Sequence, residues 1–201
     1  MRDLEIRGAG NLLGAQQHGH MEAVGYDLYC KMLNEAVKHL KGEMEEEDYT
    51  TTIDLNIDAY IPDTYISNEY QKLDIYKRIA AIESEEEMED MVEELIDRFG
   101  DIPKKVEMLL TVAQLKALAH KVYVTAVEQK GDTYTFAMYE RAKVCPEKIP
   151  ALLKEFRDDL AFKAEPPTFI YRKKRINKRD KTESALEVVK NVLIGIKGLL
   201  D

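Results

Sequence analysis

The residues from Met88 to Pro103 constrain the fold more tightly than any others in the chain. Met88, Met91, Val92, Leu95, Ile96 and Phe99 recur three and four positions apart, so a helix gathers them on one side. Asp90, Glu93, Glu94 and Asp97 fall on the other. Gly100 is a natural C-terminal stop, and Pro103 suits the first turn of a following helix that runs to about His120. A helix divided in this way must bury its apolar side against neighbours. With 201 residues and 45% hydrophobic content, the chain has enough material for such a core.

The segments around this helix supply those neighbours. Ile53, Leu55, Ile57, Ala59 and Ile61 alternate with polar residues, which predicts a half-buried strand closed by Pro62. A helix follows over about 68–81, with Leu73, Tyr76, Lys77, Ile79 and Ala80 on its packing side. Further on, Val122–Gln129 and Thr133–Tyr139 are rich in β-branched and aromatic residues and flank Lys130-Gly131-Asp132, a hairpin pattern. Pro146–Asp158 reads as a helix and Thr168–Tyr171 as a short strand. Ser184 and Glu187 have capping-box spacing at the start of a last helix. That helix carries a seam of Leu186, Val189, Leu193, Ile196 and Leu200, suited to packing on another helix or to self-association. Strands scattered among helices without strict β-α-β alternation give an α+β fold, several helices on a small mixed or antiparallel sheet.

Towards the N-terminus, apolar residues from Leu28 to Leu40 predict a helix over about 22–41 that stops at Gly42. The next residues, Glu43 to Asp48, have too little apolar content to pack and read as an acidic linker over 42–51. The two flanking parts are then 1–41 and a domain over 52–181, followed by a C-terminal helix over 182–201.

Charge is segregated along the chain. Of a net charge of −9, the stretch from Gly42 to Asp101 holds 20 acidic and four basic residues, which leaves 25 basic and 18 acidic elsewhere. An acidic middle disfavours phosphate backbones and suits a basic protein partner, although a solvated helix surface has the same composition. Two cysteines cannot make a disulfide framework, no apolar run reaches membrane-spanning length, and the N-terminus lacks a signal-peptide pattern. These features predict a cytoplasmic protein with no membrane contact.

The stretch RDLEIRGAGNLLGAQQHGHMEAVGYDLY, with IDLNIDAYIPDTYI and VEELIDRFGDIP downstream, resembles the transcription-repair coupling factor (Mfd) family. A looser version of the first stretch occurs in the RecG branch-migration motor. The resemblance implies that 1–41 is the end of a DNA motor's translocation motif, a loop plus a long helix, and that 52–181 is a regulatory domain. It implies a parent protein that uses ATP and Mg, moves on duplex DNA, releases stalled RNA polymerase and recruits UvrA. In that family the C-terminal domain covers a UvrB-like N-terminal region and inhibits it. The parent's nucleotide-binding motifs are absent from these residues, so no cofactor is expected in this chain.

Candidate site residues follow from the residues and the resemblance together. Arg7, Gly8, Gly10, Gly14 and Gln17 match the translocation motif; by chemistry alone they form a weakly anion-facing glycine loop. Asp90, Glu94 and Asp97 form a ridge along one helix, spaced so that like charges repel unless a cationic partner relieves them. Glu94 and Asp97 match the family's inhibitory contact with the UvrB-like region. Arg172, Lys173, Lys174 and Arg175 open a basic run to Lys181 that suits either weak, non-specific DNA contact or an internal charge complement. His18 and His20 fall short of the three or four ligands a zinc site needs, and Cys30 and Cys145 read as buried, inert thiols. Three readings stay open: the regulatory domain, an independent nucleic-acid-binding module using the basic run, and a small hydrolase using the two histidines.

Overall fold

The computed structural model describes residues 49–172 and 184–200. In chain order they form β1 (Thr52–Asp54), α1 (Glu69–Ala80), α2 (Glu85–Phe99), α3 (Lys104–Lys121), β2 (Val124–Lys130) and β3 (Thr133–Met138). A 3-10 turn (Pro146–Lys148), α4 (Ile149–Glu155), β4 (Leu160–Lys163), β5 (Thr168–Arg172) and α5 (Ala185–Lys197) complete them. Five helices and a five-stranded mixed sheet make this an α+β fold. The chain divides into two compact units, whose described residues are 58–113 for the first and 49–57, 114–172 and 184–200 for the second.

The first unit contains α1, α2 and the first ten residues of α3. Asn68 starts α1 by accepting from the Gln71 N–H, and Ser84 starts α2 by accepting from the Glu87 N–H. α2 buries Met88, Met91 and Leu95, each side chain contributing roughly 1.5–3 kcal/mol of transfer free energy. The helix ends at Gly100, whose φ of 86° and ψ of −160° lie in a region that essentially only glycine occupies. Tyr65 closes this end from outside. Its hydroxyl hydrogen is shared between the carbonyls of Leu95 and Gly100, both 3.1 Å away, while its ring lies 5.8 Å from Phe99. Burial, and then the negative charge of Asp101, push the Tyr65 hydroxyl pKa up. Tyr76 points inward from α1, and its hydroxyl accepts the Ile61 N–H at 2.7 Å.

The packing side of α1 differs from the one read in the sequence. Ile75, Tyr76, Ile79 and Ala80 are buried, but Leu73 is half-buried and Lys77 is exposed. The lysine that does go inside is Lys72, 4% exposed, and it is ion-paired with Asp63. Residue spacing alone could not distinguish two lysines five positions apart, because the deciding aspartate precedes the helix.

In the second unit the strand order is β1-β2-β3-β5-β4. β1 runs parallel to β2 and the remaining pairs are antiparallel. β3 alternates strictly, burying Tyr134, Phe136 and Met138. In β2 an irregularity between Val124 and Ala126 shifts the register, so the buried valines stand three apart, at 124 and 127. The hairpin therefore forms where the sequence places it.

Two expectations need correcting, and one strand has no counterpart in the sequence reading. The alternation over 53–61 survives in burial, with Ile53, Leu55, Ala59 and Ile61 buried, yet only Thr52–Asp54 pairs in the sheet. The Ile57 N–H turns back to the Leu55 carbonyl at 3.0 Å, a tight turn common where a strand leaves its ladder. The helix read over 146–158 begins as a 3-10 turn and ends at Glu155, because Arg157 and Asp158 take left-handed φ values of 50° and 65°. Finally, β4 was not foreseen; only Leu160 and Phe162 alternate in it, too short a pattern to stand out.

α5 starts at Ser184 with both bonds of the capping box present. Val188, Val189, Val192, Leu193, Ile196 and Leu199 are buried, whereas Leu186 and Leu200 are half-buried. The seam is occupied within this unit. A Cβ on Gly195 would stand 2.6 Å from Cδ1 of Leu152 in α4 and 3.2 Å from the ring of Phe156, which caps that helix, so glycine lets these helices approach closely. Little of the seam is left for self-association. Cys145 is half-buried, not buried, and its N–H donates to the Leu199 carbonyl at 2.9 Å.

Candidate protein-interaction site

The acidic face of α2 follows from how the helix turns. Placing Met88, Met91 and Leu95 inward puts Glu86, Glu89, Asp90, Glu93 and Asp97 outward, and all five are exposed. Asp90, Glu93 and Asp97 form no ion pair among the described residues.

Glu94 is different. It lies on the flank that meets α1, and Arg78 of that helix grips both of its carboxylate oxygens. One guanidinium nitrogen is 2.7 Å from Oε1 and the other contacts Oε2. Arg98, one turn along α2, also donates to Oε1 at 2.7 Å. Arg78 in turn stands 3.9 Å from Asp74. These bonds, Arg78's first and Arg98's next, hold the Glu94 carboxyl down to about pH 2, and Glu94 pushes the Arg78 pKa further up. The repulsion expected along Asp90, Glu94 and Asp97 is thus relieved at its centre by two arginines of this same chain. Arg98 was readable as the i+4 partner of Glu94. Arg78 was not, because nothing in the spacing says which residue of α1 faces α2.

Ile96 is also misplaced by the sequence pattern. The spacing groups it with the apolar side, yet it is 47% exposed. Two residues from Glu94, it emerges on the opposite flank of the acidic face, beside Glu93 and Asp97.

Two lysines of this unit are committed elsewhere. Lys72 pairs with Asp63, and Lys105 pairs with Asp58 while standing 5.7 Å from the centre of the Tyr60 ring. In the other unit, Tyr49 stacks on Tyr139 at 4.7 Å and lies 4.6 Å from the His120 ring, and its hydroxyl donates to the His120 carbonyl. Buried Thr51 donates its single hydroxyl hydrogen to the Val124 carbonyl at 2.7 Å. Across the 3.1 Å contact with His120 Nδ1, the histidine must therefore be the donor.

Several sequence candidates lie outside the described residues: Arg7, Gly8, Gly10, Gly14, Gln17, His18, His20, Cys30, Lys173, Lys174 and Arg175. Arg172 is described; it ends β5, exposed, with its N–H on the Asp159 carbonyl at 2.8 Å. Among the described residues no three His, Cys, Asp or Glu side chains gather as a metal site. No helix among them is long and apolar enough to cross a membrane.

Fold and surface together define an α+β domain with one strongly acidic helix face. The TRCF domain family matches residues 55–149. Over its whole length the chain is 42% identical to the transcription-repair-coupling factor of Bacillus subtilis (strain 168), of which it covers 17%. It is 47% identical over 144 residues to the factor of Staphylococcus haemolyticus (strain JCSC1435), covering 71% of this chain and 12% of that protein. A crystal structure of the C-terminal domain of transcription-repair coupling factor superposes with a TM-score of 0.55 at 28% identity, over 75% of this chain and 92% of that one. The chain belongs to this family and carries its C-terminal TRCF region. It spans under a fifth of the length of these full-length relatives.

Proposed function

We propose that this chain is the regulatory C-terminal part of an ATP-dependent DNA translocase that couples transcription to nucleotide excision repair in the cytoplasm. The parent protein releases RNA polymerase stalled at DNA damage and recruits UvrA. The chain's share is restraint: its acidic α2 face docks on the UvrB-like N-terminal region and keeps the UvrA-recruiting surface covered. Arg7, Gly8, Gly10, Gly14 and Gln17 belong to the motor's translocation motif, and ATP and Mg bind elsewhere in the parent.

The observation that carries this reading is the unbalanced charge of α2. Glu86, Glu89, Asp90, Glu93 and Asp97 face outward, while the nearby arginines are spent on Glu94. A basic protein surface would complement that face, and contacts dominated by charge can be displaced by a competing partner. In the full-length protein, Glu94→Ala with Asp97→Ala should raise the ATPase rate or UvrA affinity by at least about fivefold, the scale of a typical coupling energy. Unchanged values of both would refute the docking.

Arg172, Lys173, Lys174 and Arg175 would add at most weak, non-specific DNA contact. A gel shift of duplex DNA that fades steeply with salt would support it, and no shift at low salt would exclude it.

A further inference from the structure

α1 carries a second stripe that its own core does not use. Its buried side is Lys72, Ile75, Tyr76, Ile79 and Ala80. Away from that side, Tyr70, Leu73, Asp74, Lys77 and Ala81 recur at i, i+3, i+4, i+7 and i+11. That is the spacing of a helix-pairing seam, here roughly 16 Å long. Tyr70 is 75% exposed, and its hydroxyl makes no hydrogen bond among the described residues. Leu73 is half-buried, the Asp74 side chain is 61% exposed, and Lys77 and Ala81 are exposed. Lys77 forms no ion pair among the described residues, and the cation nearest Asp74 is Arg78, at 3.9 Å. Arg78 lies on the flank beyond Asp74, where it reaches Glu94, so the stripe faces away from α2.

One exposed tyrosine is ordinary. The order of these five residues is not, because it is complementary to itself when reversed. When a second α1 lies antiparallel across the first, the two-fold axis passes between Ile75 and Tyr76. Tyr70 of one copy then stands level with Ala81 of the other, a large residue over a small one. Asp74 stands level with Lys77, and Leu73 falls between the aliphatic stem of Lys77 and Ala81. Each contact occurs twice, as an isologous interface requires.

We infer that this outer stripe of α1 is a self-association surface whose occupant is α1 of a second copy of this chain. The pairing joins one helix from each copy, which places it among small, reversible interfaces. It differs from the α5 seam, which is filled from within its own unit, and it does not depend on docking through α2.

Sedimentation equilibrium of the 201-residue chain at low salt tests the pairing. The weight-average mass should rise from monomer towards dimer between micromolar and millimolar concentration. Tyr70→Ser should weaken the dimer at least about tenfold, since a tyrosine anchor carries much of the energy of a small interface. Lys77→Glu and Asp74→Lys should each weaken it to a similar extent, because each sets like charges against one another twice. Combining these two exchanges the signs and should restore the wild-type dimer, which a merely structural role for either residue would not do. All three side chains are exposed, so every variant should keep the wild-type thermal midpoint. A chain that stays monomeric across that range overturns the inference. So does a dimer indifferent to Tyr70→Ser, or one weakened by both single charge reversals that the double variant fails to restore.

Discussion

Arg78 on α1 holds both carboxylate oxygens of Glu94 on α2, and Arg98 adds a third hydrogen bond from within α2. The arrangement makes stability depend on acid in a defined direction. Glu94 titrates at about 2 when folded, below the ordinary carboxylate value of the unfolded chain. A depressed pKa stabilises fully above the unfolded value and is lost as pH falls through the folded one. Wild type should therefore exceed Glu94→Gln in thermal midpoint at neutral pH, with the gap closing between about pH 4.5 and 2. Both arginines are more than a third exposed, so the gap should stay within about 1 kcal/mol. A pH-independent gap would contradict the assignment.

Gly100 adopts a backbone conformation closed to other residues, with no atom near its missing side chain. Gly100→Ala should thus cost about 1–3 kcal/mol from backbone strain alone. Thermal unfolding checks it; an unchanged midpoint would show that the end of α2 relaxes.

Buried Thr51 satisfies two partners at once, the buried Val124 carbonyl and half-buried His120 Nδ1. Thr51→Val keeps the shape and removes both bonds, so a loss of about 1–3 kcal/mol is expected. In the wild-type chain, nitrogen NMR should place a proton on His120 Nδ1. A neutral ring protonated only at Nε2 would contradict the network.

At α5, Ser184→Ala removes the side-chain half of a reciprocal cap and should cost about 1 kcal/mol. Urea denaturation measures it. No shift in the midpoint would mean that packing of Val189, Leu193 and Ile196 alone holds that end.

Patterns with strong local chemistry were legible in the sequence. The α2 stripe, its stop at Gly100, the hairpin and the Ser184–Glu187 cap each rest on residues within a turn or two of each other. What failed depended on distant partners. Lys72, not Lys77, goes inside because Asp63 waits for it, and the strand after Asp54 ends because Ile57 turns back on Leu55. At the candidate site, the acidic face was readable from spacing. The distinction between a satisfied Glu94 and an unsatisfied Asp97 was not, since Arg78 lies sixteen residues away on another helix.

The most direct measurement is calorimetric titration of this 201-residue chain into the remainder of the coupling factor, at low and at physiological salt. Specific binding is predicted that weakens as salt rises, with Asp97→Lys lowering affinity at least about tenfold through like-charge contact. No binding at low salt, or binding indifferent to Asp97→Lys, would contradict docking through the acidic helix.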